Sequence, residues 1–349
     1  MKPEETLRET LRKVTSGELL SESAMRLAVD ALMSADLASA PESMLAAGLL
    51  SALKVRGETV DEIVGAAQGL KAHQLEVSAT RPGEVLLDTC GTGGDGAHLV
   101  NISTLAALVV ASLGVKVAKH GNRSISSACG SADLLAELGY PLGQSPQEMA
   151  KLIAVSGFGF LFAPHFHPAM KRLAGLRRAL GVRTLFNLLG PLVNPAGVSH
   201  QILGVYAREV VEPMAEASIR LGLRRVLVVH GEGGLDELSP NGTSWVSLAQ
   251  AGESLRSWEW TPSVFGASAV SLDALKGGDA PANAAISREL LAGGREELAS
   301  AVAMNAAAAL WVAEAEEDLR QGYQRSYEAL RSGSVGSYFQ RCREQALGG

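Results

Sequence analysis

The residues of this 349-residue chain that could do chemistry gather in glycine-marked loops and one basic segment. The first loop is Asp88-Thr-Cys-Gly-Thr-Gly-Gly-Asp-Gly96, which follows a short apolar run and precedes a helical stretch. Clustered glycines let backbone N–H groups approach a ligand with no side chain in the way. A helix beginning near Asn101 adds N-terminal donors and its dipole. Together these suit phosphate or pyrophosphate, and a plain tight turn has the same glycines. Asn101, Ser103 and Thr104 offer hydrogen bonds to phosphate oxygens, and Ser103 also offers an oxygen to a metal. Gly91-x-Gly93-x-x-Gly96 matches the dinucleotide fingerprint, but Lys119 and His120 stand where that fold needs an acidic ribose partner. No Gly-Lys-Ser/Thr follows, so the loop is not a Walker loop.

The second loop, Lys119 to Asp133, carries Lys119 and Arg123 with the hydroxyls of Ser126, Ser127 and Ser131, a composition suited to a second anionic group. The third, Gly231-Glu-Gly-Gly-Leu-Asp-Glu237, places Asp236 and Glu237 side by side. Paired carboxylates suit Mg²⁺, which takes hard oxygen donors and keeps several waters. The fourth feature is basic, His165 to Arg177. On a helix, Met170, Leu173 and Arg177 share one face, which would aim a guanidinium able to grip a carboxylate bidentately. His165 and His167 lack further ligands at zinc spacing.

These loops need a scaffold, and the residues between them predict one. Residues 1–72 read as helical, rich in Ala, Leu, Met and Glu; Thr59-Val-Asp-Glu62 is a capping box, and Gly57 ends the helix before it. From about residue 84, apolar runs alternate with helical stretches: 85–88, 115–118, 157–162, 202–206 and 226–230 read as strands. That alternation predicts a mostly parallel sheet. Residues of about 165–185 read as a helical excursion back toward the first domain. The assignment is a helical domain over 1–72 and an α/β domain over 73–349, whose C-terminal third is Ala-rich with little chemical signal. Charge is 31 − 37 = −6, which argues against a general nucleic-acid binder. Three scattered cysteines (Cys90, Cys129, Cys342) exclude a disulfide scaffold and fit a reducing cytoplasm. The charged N-terminus and the interrupted apolar run 102–117 predict neither a leader nor a membrane span.

Taken in order, Gly91-Thr-Gly-Gly-Asp95, Asn101-Ile-Ser-Thr104, Lys119-His-Gly-Asn-Arg123, Gly130-Ser-Ala-Asp133, His167-Pro-Ala-Met-Lys171, Arg183 to Leu192 and Gly234-Leu-Asp-Glu237 resemble the motif series of the anthranilate phosphoribosyltransferase family. The resemblance runs from about Arg56 to about Ala308. Each motif alone is weak; the ordered set is specific. It implies a small helical domain and a large α/β domain with the active site in the hinge cleft, and a homodimer through the helical domain. The implied reaction moves 5-phosphoribosyl from phosphoribosyl pyrophosphate (PRPP) to the amine of anthranilate, with Mg²⁺, at the second step of tryptophan biosynthesis from chorismate.

Carried over by the resemblance, PRPP contacts are Gly91, Gly94, Asp95, Asn101, Ser103, Thr104, Lys119, Gly121, Asn122, Arg123, Ser126, Ser127 and Ser131. Lys119 and Asp95 act electrostatically, with no acid–base residue. Anthranilate falls to Gly91, His120, Asn122, His167 and Arg177, and Mg²⁺ to Ser103, Asp236 and Glu237. Some positions depart from the family pattern. Ala128 and Cys129 replace a lysine and a small polar residue, Met170 stands where some members have an aromatic, and Leu99-Val100 replaces Thr-Phe. Acceptor choice therefore stays open to another aromatic amine. A pyrimidine nucleoside phosphorylase shares the implied fold, but Asp236, Glu237 and the 167–177 segment speak against it. A nucleic-acid-binding paralogue would have lost those acids.

Overall fold

The computed structural model describes residues 2–81, 83–93, 98–124 and 128–348. Helices α1 (Pro3–Thr15), α2 (Glu22–Ser34), α3 (Ala40–Arg56) and α4 (Val60–Lys71) form a bundle. Their apolar sides meet in one core around Leu7, Met25, Leu32, Leu49, Leu53 and Ile63. The Thr59 capping box forms: Thr59 Oγ1 accepts from Glu62 N–H, and Glu62 returns the bond to Thr59 N–H at 2.9 Å. Fully buried, Glu62 also accepts Leu20 N–H at 2.9 Å and pairs with Arg56, so one carboxylate ties three parts of the bundle together. Gly57, at φ 89°, turns the chain between α3 and α4 where an L side chain would be strained.

The α/β part runs β1 (Leu87–Asp88), α5 (Ile102–Ser112), β2 (Val117–Gly121), α6 (Ser131–Glu137), α7 (Pro146–Ser156) and β3 (Phe158–Phe162). It continues through α8 (Ala163–Phe166), a 3₁₀ turn over Pro168–Leu173, α9 (Ala174–Leu180), α10 (Phe186–Leu192), β4 (His200–Gly204), α11 (Val211–Arg220) and β5 (Arg225–Gly231). Strands β6 (Ser244–Gln250) and β7 (Arg256–Trp260) follow, then α12 (Ala280–Leu291), α13 (Glu296–Val312), α14 (Leu319–Arg331) and α15 (Ser334–Ala346).

Among the described residues the strands make one seven-stranded sheet of order β3-β2-β1-β4-β5-β6-β7. The first five pair in parallel, and β6 and β7 are antiparallel. The antiparallel ribbon falls in the stretch read only as Ala-rich and helical at its end. Its edge strand β7 alternates polar and apolar over Ser257-Trp-Glu-Trp260. Chain order reverses between β1 and β4, and a ligand crevice opens at such a switch point, beyond the carboxyl ends of the strands.

Strand periodicity splits the two cores. On β5, Val226 and Val228 join the bundle core, while Leu227 and Val229 face the core built with α5 and α13. Leu173, Leu185 and Phe186 belong to the bundle-side core, so the 165–185 excursion packs with the N-terminal helices. Helix α13 is buried from Leu298 to Leu310, and its alanines let it run close beneath α5 and α14. No helix among the described residues is long and apolar enough to cross a membrane.

Candidate functional site

Every loop singled out by its chemistry, except the 165–177 segment, lies at the carboxyl end of a strand beside the switch point. Gly91 bridges to Gly204 at the end of β4, and Thr92 N–H donates to Gly204 carbonyl at 2.9 Å. Asp236 then crosses over this junction. Its Oδ2 accepts from Gly93 N–H at 2.7 Å. A Cβ on Gly91 would meet the Asp236 carboxylate, and one on Gly204 would run into the Asp236 backbone carbonyl, so both glycines are close-approach positions. Glu237 reaches the other way, and its Oε1 accepts from Ser103 N–H at 2.9 Å in the first turn of α5. Gly91, Ser103, Asp236 and Glu237 thus line one cavity with Thr89 and Asn305. Withdrawal from water, with Asp236 adjoining, holds the Glu237 carboxyl well above the usual carboxylate range.

That oxygen set fits Mg²⁺: one hydroxyl and two carboxylates on one cavity wall, with the remaining positions for water and substrate phosphate. Among the described residues no group of three or more His, Cys, Asp or Glu forms a closed metal cage. An open site that a phosphate completes is the arrangement Mg²⁺ takes in phosphate-handling enzymes.

Strand β2 continues to Gly121, three residues past the stretch read as a strand, so Lys119 and His120 stand on the sheet and not on a loop. Lys119 is 2% exposed, and its Nζ donates to Thr89 carbonyl at 2.6 Å, with Thr89 Oγ1 at 3.3 Å and Ser103 Oγ at 3.5 Å. Its charge lies under the glycine loop, where it favours the ionised forms of both Asp88 and Glu237. Thr104, read as a phosphate contact, is 1% exposed, and its hydroxyl has no hydrogen-bond partner among the described residues. The ammonium lies below the loop, and helix periodicity turns Thr104 inward while Ser103 lines the cavity.

Beyond β2, Asp133 organises the loop. It accepts Ser124 and Gly130 N–H, each at 3.0 Å, and pairs with exposed Arg123 at 2.8 Å. Asn122 is exposed, and its carbonyl accepts Ser131 Oγ at 3.3 Å and Ala132 N–H at 3.1 Å. Gly94, Asp95, Ser126 and Ser127 lie outside the described residues.

On the aromatic side, the His120 and His167 rings stand 5.1 Å apart, tilted by 56°. His120 Nδ1 lies 3.0 Å from Gly190 carbonyl, so it carries the proton, and burial pushes the ring down to about 3. Burial also lowers His167, to about 4. His120 Nε2 lacks a hydrogen-bond partner among the described residues, and His167 has the Val193 backbone beside it. A neutral, half-satisfied imidazole pair is a surface for an uncharged ring. The 165–177 stretch is not one α-helix: the 3₁₀ turn stacks Met170 above Leu173, and α9 carries Arg177 one turn on. The three still share a side. Arg177 is half-buried with its guanidinium 6.0 Å from the Phe186 ring, no carboxylate pairs with it among the described residues, and burial lowers its pKa. Phe186 and Gly190 lie one turn apart on α10, so Arg177 and His120 meet the same helix face.

Several residues that build the site went unread in the sequence. Fully buried Asp88 accepts His120 N–H at 3.1 Å with one oxygen. With the other it accepts Asn194 Nδ2 at 2.8 Å and Gln201 Nε2 at 3.3 Å, locking β1, β2 and β4 together. Asn305, in α13, accepts Leu238 N–H at 3.1 Å and so holds the backbone just past the acid pair. The available signal was polarity out of place: Gln201 in an apolar strand, Asn305 among alanines.

The chain matches two parts of the glycosyl transferase family: the helical bundle domain over residues 8–74 and the a/b domain over 83–335. An anthranilate phosphoribosyltransferase of Clostridium kluyveri is 43% identical over 94% of this chain and 96% of that one. The one from Rhizobium meliloti strain 1021 is 46% identical over 96% and 97%. Among solved structures, anthranilate phosphoribosyltransferase from Thermus thermophilus superposes with a TM-score of 0.88 at 44% identity, over 97% of this chain and 99% of that chain. The Saccharomyces cerevisiae protein, solved in complex with PRPP and Mg, gives a TM-score of 0.89 at 28% identity over 98% of both.

Proposed function

The chain belongs to the anthranilate phosphoribosyltransferase family, and from that premise we infer how its switch-point crevice carries the reaction. The protein transfers 5-phosphoribosyl from PRPP to the amino group of anthranilate, releasing pyrophosphate, in tryptophan biosynthesis, with Mg²⁺ as cofactor. One observation carries the assignment of parts: Asp236 and Glu237 close over both the glycine loop and the start of α5.

PRPP would lie along Gly91, the first turn of α5 and the loop from Gly121 to Ser131. Gly91, Gly94, Asp95, Asn101, Ser103, Thr104, Lys119, Gly121, Asn122, Arg123, Ser126, Ser127 and Ser131 are proposed contacts. Ser103, Asp236 and Glu237 would hold Mg²⁺, whose chemistry is to neutralise charge on the departing pyrophosphate. Backbone N–H groups of the loop and α5 add to that stabilisation without reorganising. Arg177 would take the anthranilate carboxylate, giving a buried cation its counter-charge, while His120, His167, Asn122 and Gly91 line the ring's path. The amine of anthranilate is a weak base and loses no proton before it attacks. The ribosyl carbon then passes through an oxocarbenium-like state with inversion, so positioning and electrostatics supply most of the rate. Lowered to about 3 and about 4, His120 and His167 are too weakly basic to take a proton from the amine before attack; the nitrogen sheds its proton after the C–N bond forms and the bond to pyrophosphate breaks.

The exposed apolar side chains of the bundle, Val55 at 89% and Met44 at 73% among them, support a homodimer through the helical domain. Light scattering on the purified protein tests it: a dimer mass lost on Met44→Glu agrees, and a monomer at micromolar concentration rejects it. Three free, buried cysteines support a reducing, cytoplasmic setting. The 1–72 and 73–349 division is proposed on the same footing. The reaction itself is tested by following anthranilate fluorescence with PRPP and Mg²⁺. Loss that needs both additions supports the assignment; phosphorolysis of thymidine in its place would reject it.

A further inference from the structure

The C-terminal third sends one buried amide into the phosphate side of the site. Asn283, in the first turn of α12, is 1% exposed. Its Oδ1 accepts Gly278 N–H at 2.7 Å, and its Nδ2 donates to Asn101 Oδ1 at 3.2 Å. Asn101 passes the relay on, and its Nδ2 donates to Cys129 carbonyl at 3.0 Å. Three distant stretches of chain meet through these bonds: the approach to α12, the start of α5 and the end of the loop after β2.

An asparagine at a helix N-cap ordinarily turns its side-chain oxygen back onto a first-turn N–H. Asn101 is the N-cap of α5 and makes no such bond. Its oxygen is engaged by Asn283, and Ser103 N–H goes to Glu237 instead. The relay has a direction, each amide N–H facing the next carbonyl oxygen. Reversing either amide would set like groups face to face in a buried place. Asn283 is itself held tightly. A Cβ on Gly277 would collide with its Oδ1, and Gly277 N–H donates to His98 carbonyl at 2.9 Å while Val100 N–H donates to Leu275 carbonyl at 3.0 Å.

We propose that Asn283 is a positioning residue for PRPP binding: through Asn101 it sets the spacing between the first turn of α5 and the loop ending at Cys129-Gly130-Ser131. It touches no substrate. The proposal rests on the reading of Asn101 and Ser131 as PRPP contacts.

The test is steady-state kinetics with both substrates varied, on Asn283→Ala, Asn283→Asp, Asn101→Ala and the Asn101→Ala/Asn283→Ala pair. KM for PRPP should rise about tenfold in Asn283→Ala, the size of coupling expected between directly bonded residues, while KM for anthranilate stays within about twofold. Asn283→Asp keeps the volume and the Gly278 bond but faces Asn101 with an oxygen, so it should shift KM the same way. The pair should be no worse than Asn101→Ala alone. Gly277→Ala displaces Asn283 from its other side and should reproduce the signature, and it carries the comparison if Asn283→Ala shows no thermal transition. Multiplicative effects in the pair, equal rises in both KM values, or a loss of stability with both KM values unchanged would overturn the proposal. A wild-type protein inactive on PRPP and anthranilate would overturn the functional reading first, and this proposal with it.

Discussion

Gly204→Ala puts the assembly of the site under the most direct strain. The added methyl would overlap the Asp236 backbone carbonyl, and backbone has no rotamer through which to escape. Restoring ordinary contact means moving the 236–237 turn off β4 by on the order of 1 Å or more, a displacement that costs about 10²-fold when it misplaces reacting groups. The same movement pulls Asp236 from Gly93 N–H (2.7 Å) and Glu237 from Ser103 N–H (2.9 Å). Bonds to charged groups contribute about 1.5–3 kcal/mol each, so losing both costs folding about 3–6 kcal/mol. Partial relaxation brings the expected loss to about 3 kcal/mol, or roughly 4 °C in Tm for a chain of 349 residues. The assay is anthranilate fluorescence at saturating PRPP beside a thermal melt, with Gly143→Ala as control because a Cβ there meets nothing within 4 Å. Gly204→Ala with activity within about threefold of wild type and an unchanged melt would refute the view that this close approach holds the acid pair in place.

Other perturbations separate the remaining parts. Arg177→Ala should raise KM for anthranilate by about 10- to 100-fold, as loss of a buried charge pair does, and leave KM for PRPP nearly unchanged; equal rises would move Arg177 off the anthranilate carboxylate. In Glu237→Gln the midpoint of a Mg²⁺ titration should move up by about tenfold or more, and an unmoved midpoint would remove Glu237 from the metal. His120 and His167 are both lowered on folding, to about 3 and about 4. The unfolded chain therefore binds the extra protons, and their contribution to stability is present above about 6.5 and lost as pH falls from there toward 3. Urea midpoints measured from pH 7 down to pH 4 should fall less steeply in His120→Gln than in wild type, and parallel curves would contradict the burial argument.

The chemistry-bearing loops were legible because glycine spacing and capping residues are local signals. The Thr59 box depends on residues three positions apart, and Gly91, Thr92 and Gly93 follow within a few positions of β1. Strand β2 was read three residues short because Lys119 and His120 look like loop residues, and only the fold shows that buried partners at Thr89 and Gly190 make room for them inside a strand. The antiparallel β6–β7 ribbon was missed because an edge ribbon with polar alternation carries a weak pattern. The buried network at Asp88, Asn194 and Gln201, and the amides of Asn283 and Asn305, join residues up to 182 positions apart. No local rule links such pairs; the sheet order and the return of α12 and α13 beneath α5 do.

The central claim is a group transfer from PRPP to an aromatic amine at the β1–β4 switch point. Its most direct test measures pyrophosphate released against anthranilate consumed in the same reaction, with and without Mg²⁺. The account predicts one pyrophosphate per anthranilate, dependent on the metal and abolished in the Asp236→Ala/Glu237→Ala pair. Pyrophosphate released with no anthranilate consumed, or turnover that survives loss of both acids, would contradict it.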